Sequence, residues 1–240
     1  MTTNTIQAPQ SPKLAVKPVP VVIIDDHPVL VSFLTQVLER DGKYQLVGRA
    51  ETAREGLELC RKLKPALVIL DIVLLDSSDL SCLRSLHQEC PRSRVLVFTG
   101  KISNVADMLL AGAGGIMGKT AKLQDLMDAV DRVAQGGMYL CPQACEAVRR
   151  QVIAAPPPEK RPGPELSRRE LAVLQHIAMG LSSRQIAEKM ELSQNTIAAF
   201  RSRLMKKTEL HSTAKLVLYA ARLGLVRVPG LRKATSNPMA

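Results

Sequence analysis

The sequence predicts an α/β domain with a doubly wound, five-stranded parallel sheet, followed by an all-α domain of four helices. Between residues 20 and 140, short apolar runs alternate five times with amphipathic segments, as in parallel sheets whose strands are joined by helices. After residue 166 the apolar spacing is helical only. Five prolines between residues 156 and 164 interrupt both patterns, so we expect an extended linker between the domains.

Five apolar segments fit buried parallel strands because they continue for several residues without a polar interruption. They cover residues 19–25, 44–48, 66–71, 94–99 and 115–119. Amphipathic spacing predicts helices over residues 29–38, 53–63, 78–88, 105–111, 123–134 and 142–153, and in the second domain over 168–179, 183–190, 194–207 and 213–223. The predicted organisation begins with an N-terminal arm over residues 1–19 and an α/β domain over 20–140. A linker helix with a proline-rich linker follows over 141–165, then an all-α domain over 166–227 and a basic, disordered tail over 228–240.

Composition and charge restrict the class of protein. The chain has 240 residues, is 46% apolar and lacks an apolar run of 18 residues or an N-terminal signal-like segment, so we expect a cytoplasmic protein without a membrane span. Its five scattered cysteines fit reduced thiols better than a disulfide framework. Residues 167–240 contain 13 lysines and arginines against 4 aspartates and glutamates, which predicts a polyanionic partner for the second domain.

Carboxylates follow two of the predicted strands. Asp25 and Asp26 come at the end of the first strand, and Asp71 ends the third. A single strand-end aspartate often does no more than cap the next helix. Three carboxylates in one crevice repel one another, however, unless a cation lies among them, and Mg²⁺ is the hard, oxygen-preferring ion that suits such a site.

The fourth and fifth strands end in a hydroxyl and an ammonium group, Thr99 and Lys119. Together with the carboxylates they suit phosphoryl transfer onto Asp71. Mg²⁺ and Lys119 would neutralise the phosphoryl oxygens, and Thr99 would donate a hydrogen bond to one of them.

This order of strand-end residues resembles the receiver domain of two-component response regulators. The segments Gly112–Lys119 (GAGGIMGK) and Gly136–Leu140 (GGMYL) are similar to its NarL/FixJ branch. The resemblance implies that Asp71 accepts phosphate from a sensor histidine kinase. It further implies that Mg²⁺ is bound by Asp25, Asp26, Asp71 and the backbone carbonyl of Val73.

Three positions depart from the usual receiver pattern. Ile116 replaces the aromatic residue that normally precedes the lysine by three, while Leu75 and Asp79 replace a proline and a glycine. These changes remove no reacting group. They alter the expected relay between Thr99 and the outer surface, so phosphorylation is expected to be read out differently or weakly.

The second domain contains a predicted helix-turn-helix. A short amphipathic helix over residues 183–190 is followed by a tight turn and a basic helix, in which Ile197, Phe200 and Leu204 face inward. Ser167 with Glu170 predicts a capping box, and Ser182 and Ser193 predict further helix caps.

The segment 166–226 resembles the LuxR-type DNA-binding domain and is most similar to the virulence-regulator group typified by BvgA and EvgA. The motifs that carry the resemblance are Leu166–Glu170 (LSRRE), Gly180–Ser182 (GLS), Ile186-Ala187 and Thr196-Ile197. The last helix, with Leu216, Val217, Tyr219, Ala220 and Leu223, resembles the helix through which such domains pair on DNA.

The fold divides the exposed residues of this domain into two groups. Those nearest the base edges are expected to be Asn195, Ala198, Ala199 and Ser202, the small alanines letting the helix sit deep in the major groove. Those that contact phosphates are expected to be Arg184, Thr196, Arg201, Arg203 and Lys206. Ala198 and Phe200 replace the usual lysine and histidine of the family, so base preference does not carry over.

Three hypotheses remain at this point. The first is a transcription regulator that is phosphorylated on Asp71, dimerises and binds promoter DNA, catalysing nothing beyond its own phosphoryl transfer and dephosphorylation. The second is a phosphorylation-independent transcription factor whose receiver serves as a dimerisation platform. The third is an independent phosphohydrolase that uses an aspartyl phosphate, which the attached basic domain and the lack of a substrate cap disfavour.

Overall fold

The computed structural model describes residues 17–40, 42–77, 80–154 and 165–225, and of residues 151–154 the helical backbone alone. The described strands are β1 Val19–Ile24, β2 Tyr44–Ala50, β3 Leu67–Leu70, β4 Arg94–Thr99, β5 Gly115–Gly118 and β6 Tyr139–Leu140. The helices that join and follow them are α1 Pro28–Arg40, α2 Ala53–Leu63, α3 Ser81–Glu89, α4 Val105–Leu110, α5 Leu123–Ala134 and α6 Pro142–Ala154. Those of the second domain are α7 Arg168–Ala178, α8 Ser183–Met190, α9 Gln194–Thr208 and α10 Thr213–Arg222.

The sheet is parallel throughout, with strand order β2-β1-β3-β4-β5-β6. The doubly wound α/β class is therefore confirmed, but the sheet has six strands where five were predicted. The additional strand, β6, is only two residues long, which is too short to show a periodic apolar pattern. It is attached to β5 by hydrogen bonds from the Tyr139 amide to the Gly114 carbonyl and from the Cys141 amide to the Ile116 carbonyl, at 3.2 and 3.1 Å.

Helices cover both faces of the sheet. Helices α1 and α5 cover one face, where Leu34 and Val130 are buried. Helices α2, α3 and α4 cover the other, where Leu83 and Met108 are buried. Because the central strands are enclosed on both sides, they read as continuous apolar runs, and their polar residues come only at the ends. This arrangement puts the strand-end carboxylates at the carboxyl edge of the sheet.

The second domain has the four predicted helices, each begun by a serine. Ser167 and Ser182 form capping boxes with Glu170 and Gln185, and Ser193 accepts a hydrogen bond from the Thr196 amide at 3.1 Å. Helix α8 ends at Met190, and the next residue, Glu191, has a left-handed backbone with φ of 54° and begins the tight turn into α9. The helix-turn-helix prediction is confirmed at the level of these elements.

The two domains contact each other in two places, through packed helices and through hydrogen bonds to the backbone. Helix α10 packs on α4 and α6, so the apolar cluster of the receiver face continues into the second domain. Next to it, the Met138 amide donates a hydrogen bond to the Gly180 carbonyl at 2.9 Å, and Arg132 Nη1 donates to the Met179 carbonyl at 3.2 Å. Leu216 on α10, one of the residues expected to pair with a second copy, is buried.

Several predicted features lie outside the described residues. These are the arm up to residue 16, the proline-rich linker over residues 155–164, Asp79 and the chain from residue 226 onward.

Among the described helices, none combines the length and apolar character that a membrane crossing requires. None of the five cysteines, which all lie in the described part of the chain, is in a disulfide bond.

Candidate functional site

Two buried carboxylates lie side by side at the carboxyl edge of the sheet. Asp25 directly follows β1 and Asp71 directly follows β3, and the Asp71 amide donates to the Ile24 carbonyl at 2.9 Å. This backbone bond continues the pairing of the two strands beyond their ends. Asp25 and Asp71 are only 2% and 3% exposed, so both charges are withdrawn from water and require a partner.

Lys119 supplies that partner. Its Nζ lies 2.7 Å from Asp25 Oδ2 and 2.7 Å from Asp71 Oδ2. The position is fixed by the backbone, since the Lys119 amide donates to the Thr99 carbonyl at 2.9 Å just beyond β5. Burial lowers the pKa of the ammonium, but the hydrogen bonds and negative charges of Asp25 and Asp71 outweigh this effect and leave the pKa above its ordinary value.

Thr99 and Val73 lie at the same carboxyl edge of the sheet as the carboxylate pair. Thr99 is fully buried at the end of β4, and its hydroxyl accepts a hydrogen bond from the Lys101 amide at 3.3 Å. Val73 lies in the loop that follows β3, and its amide donates to Asp71 Oδ1 at 3.1 Å. Asp71 is therefore held by Val73 through one oxygen and by Lys119 through the other.

The site has the composition of a divalent-cation site. Asp25, Asp26, His27 and Asp71 each offer a ligand atom, and these atoms all lie within 4.8 Å of one another. Asp26 Oδ1 is buried and has no hydrogen-bond partner among the described residues. A buried carboxylate oxygen that a histidine ring contacts only outside hydrogen-bond geometry, beside two other carboxylates, fits a bound cation, and the oxygen-rich ligand set fits Mg²⁺.

Two residues of this region were not predicted as site residues. His27 contacts the acidic cluster through its ring, and the only signal in the sequence was its place directly after Asp25 and Asp26. Asp76 accepts hydrogen bonds from the Ala53 and Arg54 amides at 2.7 and 3.2 Å. It thereby fixes the loop after β3 to the start of α2, and these hydrogen bonds, the Ala53 bond foremost, lower the pKa of Asp76.

The positions that depart from the receiver pattern differ in exposure. Ile116 is fully buried in β5, so an aliphatic side chain fills the place of the usual aromatic. Leu75 is 75% exposed on the loop beyond Asp71. The first change affects the interior, while the second affects the surface that surrounds the site.

Most of the predicted DNA contacts lie on the accessible side of the second domain. The exposed residues are Arg184, Asn195, Ala198, Ala199, Ser202, Arg203 and Lys206. Their inward counterparts on α9, Ile197, Phe200 and Leu204, are buried as predicted. Arg203 lies over the Phe200 ring, 4.5 Å from its centroid, which braces the guanidinium on the helix surface.

Two of the predicted phosphate contacts are less accessible. Thr196 is half-buried, and its hydroxyl lies 2.8 Å from that of Ser193. Arg201 is half-buried and donates to the Thr213 hydroxyl at 2.6 Å. Burial lowers the pKa of Arg201, and the nearby positive charge of Arg94 in the first domain lowers it further. In this arrangement Arg201 faces the first domain.

Comparison with known proteins assigns both domains. The family model of the response regulator receiver domain matches residues 21–131, and that of the luxR family of bacterial regulatory proteins matches residues 164–220. The virulence transcription regulator BvgA of Bordetella pertussis is 32% identical over 207 residues, covering 85% of this chain and 98% of BvgA. The response regulator GacA of Pseudomonas aeruginosa is 30% identical over 208 residues, covering 86% of this chain and 97% of GacA.

Solved structures share the fold at lower identity. A LuxR-family response regulator from Aurantimonas sp. SI85-9A1 has a TM-score of 0.53 and 24% identity, covering 57% of this chain and 99% of its own. RcsB of Salmonella typhimurium has a TM-score of 0.52 and 22% identity, covering 86% of this chain and 99% of its own. With the two family models and the full-length relatives, the chain belongs to the DNA-binding response regulators of two-component systems that join a receiver domain to a LuxR-type helix-turn-helix domain.

Proposed function

We propose that this protein accepts a phosphoryl group on Asp71 from a sensor histidine kinase and controls transcription by binding promoter DNA as a homodimer. The observation that carries the proposal is the position of Lys119, whose ammonium contacts both Asp25 and Asp71 at 2.7 Å. It neutralises the pocket into which a dianionic phosphoryl group must move. The reaction is the protein's own modification, and we propose no turnover of a separate substrate.

The side chains of the pocket have distinct roles in this transfer. A carboxylate oxygen of Asp71 forms a bond to phosphorus while the phosphorus–nitrogen bond of the kinase phosphohistidine breaks, and the bonding electrons return to the imidazole nitrogen. Lys119, already within hydrogen-bond distance of Asp71 Oδ2, neutralises charge on the phosphoryl oxygens. The Thr99 hydroxyl, buried at the adjacent strand end, donates to one of those oxygens.

Asp25, Asp26 and Asp71 would hold Mg²⁺, with the Val73 carbonyl as a further oxygen ligand. When bound, the ion supplies positive charge next to the transferring group. Asp26 Oδ1 supports this assignment because it is buried and, among the described residues, no donor meets it in hydrogen-bond geometry, the His27 ring nitrogen at 2.7 Å being an ion-pair contact only.

We further propose that the contact between α4 and α10 couples the two events. Helix α4 follows β4, which ends at Thr99, so a change around Thr99 is close to the surface on which α10 packs. Ile116 is aliphatic and fully buried, and therefore this coupling proceeds through packing rather than through the rotation of an aromatic ring. Separation of the domains would expose the side of α10 that packs on α4 and α6 to a second copy, and would remove Arg201 from the positive charge of Arg94.

The fold neighbour RcsB gives this proposal a precedent. RcsB from Salmonella enterica serovar Typhimurium has been solved on a promoter with a phosphomimetic, and its TM-score to this chain is 0.51 at 22% identity. We propose an equivalent complex for this protein in the cytoplasm, where promoter DNA and the kinase domain meet. The exposed α9 residues would enter the major groove.

Transfer of labelled phosphate from acetyl phosphate or a kinase tests the acceptor. Asp71→Asn is expected to remove the label, while Asp76→Asn, on the adjacent loop, is expected to keep it. Asp76 contacts backbone amides of α2, whereas Asp71 contacts the Lys119 ammonium. Label retained on Asp71→Asn would contradict the assignment of the acceptor.

A second candidate function is supported by Ile116 and Leu75, the two departures within the described residues. In this second hypothesis the receiver domain serves only for dimerisation, and the protein binds DNA without being phosphorylated. Transcription and promoter occupancy that are equal for wild type and Asp71→Asn would favour this reading. A loss of induction in the variant would favour the phosphorylation-dependent one.

Substitution Arg203→Ala tests the nucleic-acid interface. Arg203 is exposed on α9 and braced on Phe200, so its loss is expected to weaken binding similarly on all sequences. The plot of log affinity against log salt concentration is expected to become shallower by about one unit per subunit, because one phosphate contact is lost. Lys62→Ala, an exposed cation of the receiver, is the control, and an unchanged salt slope for Arg203→Ala would argue against a phosphate contact.

A further inference from the structure

His27 lies at the mouth of the acidic pocket with its ring turned toward the carboxylates. Its Nδ1 is 3.0 Å from Asp25 Oδ1, 2.7 Å from Asp26 Oδ1 and 3.3 Å from Lys119 Nζ. The imidazole is 63% exposed, while Asp25 and Asp26 side chains are 3% and 15% exposed. Nδ1 of the exposed His27 ring therefore contacts the buried groups of the pocket from the solvent side.

A single hydrogen bond at His27 Nδ1 cannot serve all the polar atoms that surround it. A ring nitrogen carries either one proton or one lone pair, so Nδ1 has one interaction to give. With a proton, Nδ1 donates a hydrogen bond to Asp25 Oδ1, and its contact with Asp26 Oδ1, 2.7 Å away, is an ion pair outside hydrogen-bond geometry. With a lone pair it accepts from Lys119, but it then faces two carboxylate oxygens that also carry lone pairs. A cation bound by Nδ1 and the two carboxylate oxygens attracts the lone pairs of all three atoms at once.

The separations fit ligands of one ion. Six-coordinate small divalent cations have bonds of about 2.1 Å, which places adjacent ligand atoms about 3 Å apart. The distances from His27 Nδ1 to the oxygens of Asp25 and Asp26 are 3.0 and 2.7 Å. The ring nitrogen is thus at the spacing expected of an adjacent ligand.

We propose that His27 is a protein ligand of the cation in this pocket, which makes the site selective for divalent ions that accept imidazole nitrogen. This inference rests on the proposed metal site of Asp25, Asp26 and Asp71. An all-oxygen pocket suits Mg²⁺, whereas one nitrogen ligand raises the relative affinity for Mn²⁺, Co²⁺, Ni²⁺ and Zn²⁺. The charge on Asp71, and with it the readiness of the phosphoacceptor, then depends on which of these ions the cell supplies.

Pulsed electron paramagnetic resonance of Mn²⁺ bound to the full chain tests the ligand directly. Wild type is expected to show ¹⁴N coupling from the imidazole, and His27→Gln is expected to bind Mn²⁺ without it. His211→Gln, which removes an exposed histidine of the other domain, is expected to retain the coupling. Bound Mn²⁺ without ¹⁴N coupling in wild type would overturn the role of His27 and leave the phosphoacceptor assignment intact.

Calorimetric titration of the same proteins with Ni²⁺ and Mg²⁺ gives an independent readout. His27→Gln is expected to weaken Ni²⁺ binding at least about tenfold while changing Mg²⁺ binding much less, because Mg²⁺ prefers oxygen. Equal losses for both ions, or none for Ni²⁺, would overturn the proposal. If wild type bound neither ion and Asp26→Asn behaved identically, the proposed metal site itself would fail together with the inference.

Discussion

At the scale of single residues, Lys119 holds the pocket together. Its ammonium is in contact with two buried carboxylates, and its pKa is raised, so it stays charged until the pH rises above its ordinary value of 10.5. Its stabilising effect is accordingly present at neutral pH and is lost only in strong alkali. Asp25 and Asp71 lose their shared counter-charge if this residue is removed.

Substitution Lys119→Met is expected to destabilise the receiver by about 1–3 kcal/mol, because two buried carboxylates are left without a cation. Mg²⁺ is expected to recover part of the loss, since the ion then supplies the missing charge. Urea unfolding with and without Mg²⁺ measures both effects, with the exposed Lys101→Met as control. Equal stability of the two variants in the absence of Mg²⁺ would contradict this role.

The residues of the pocket differ in how well sequence reasoning found them. Asp71, Thr99 and Lys119 were predictable because each ends a buried strand, where an isolated polar group stands out against an apolar run. His27 and Asp76 were missed because they lie on loops, where no periodicity marks a side chain that turns inward. Their roles depend on distances that only the folded chain defines.

At the scale of elements, the helices of the second domain are tied by an ion pair. Glu170 of α7 completes a capping box with Ser167 and also accepts from Lys207 of α9 at 2.8 Å. The Lys207 hydrogen bond is the largest cause that lowers the pKa of Glu170 from 4.5 to about 2, followed by the hydrogen bond from the Ser167 amide. The pair therefore stabilises the domain above pH 4.5, and the stabilisation is lost as the pH falls from 4.5 through about 2.

Substitution Glu170→Gln is expected to cost about 1–2 kcal/mol at neutral pH, because the side chain still caps α7 but no longer carries the charge that Lys207 contacts. The difference from wild type is expected to disappear in acid. Urea unfolding followed through amide NMR signals of α7 and α9 in the full chain measures it. The exposed Glu188→Gln, which breaks a surface pair with Arg184, is the control and should have little effect. A pH-independent difference would argue against the ion pair.

Element bounds were predictable where apolar spacing continues to the end of an element. The predicted bounds of α2, β4, α5 and α8 agree with the structure. Helix α3 begins at Ser81 where residue 78 was predicted, since the loop after β3 turns through a bridge between Leu74 and Ser77 before the helix starts. Strand β6 was not predicted because two residues depend entirely on pairing with β5.

At the scale of the whole molecule, the packing of the domains was the part that sequence reasoning could not supply. The apolar residues of α10 predict a contact but not its partners, and in this structure α10 packs on α7 of its own domain and on α4 and α6 of the first domain. Gly137 and Gly180 permit the adjoining backbone contact, because a Cβ on Gly137 would lie 2.4 Å from the Gly180 carbonyl oxygen. No spacing rule connects two glycines in different domains.

Substitution Gly137→Ala is expected to separate the domains, since the added methyl group cannot fit against the Gly180 carbonyl and overpacking of this kind costs about 1–3 kcal/mol. Small-angle scattering of the full chain should show a larger radius of gyration, and hydrogen exchange should rise at Met138. Gly100→Ala is the control, because a Cβ there meets no atom within 4 Å among the described residues. An unchanged scattering profile for Gly137→Ala would contradict the importance of this contact.

DNA affinity measured on one protein before and after phosphorylation tests directly whether Asp71 controls the second domain. The probe is a duplex selected in vitro by the phosphorylated full-length chain, and acetyl phosphate with Mg²⁺ is the donor. Wild type is expected to gain about tenfold or more in affinity on phosphorylation, within the usual range of coupling between sites. Asp71→Asn is expected to show no gain. Equal affinity of phosphorylated and unphosphorylated wild type would contradict phosphorylation-dependent control.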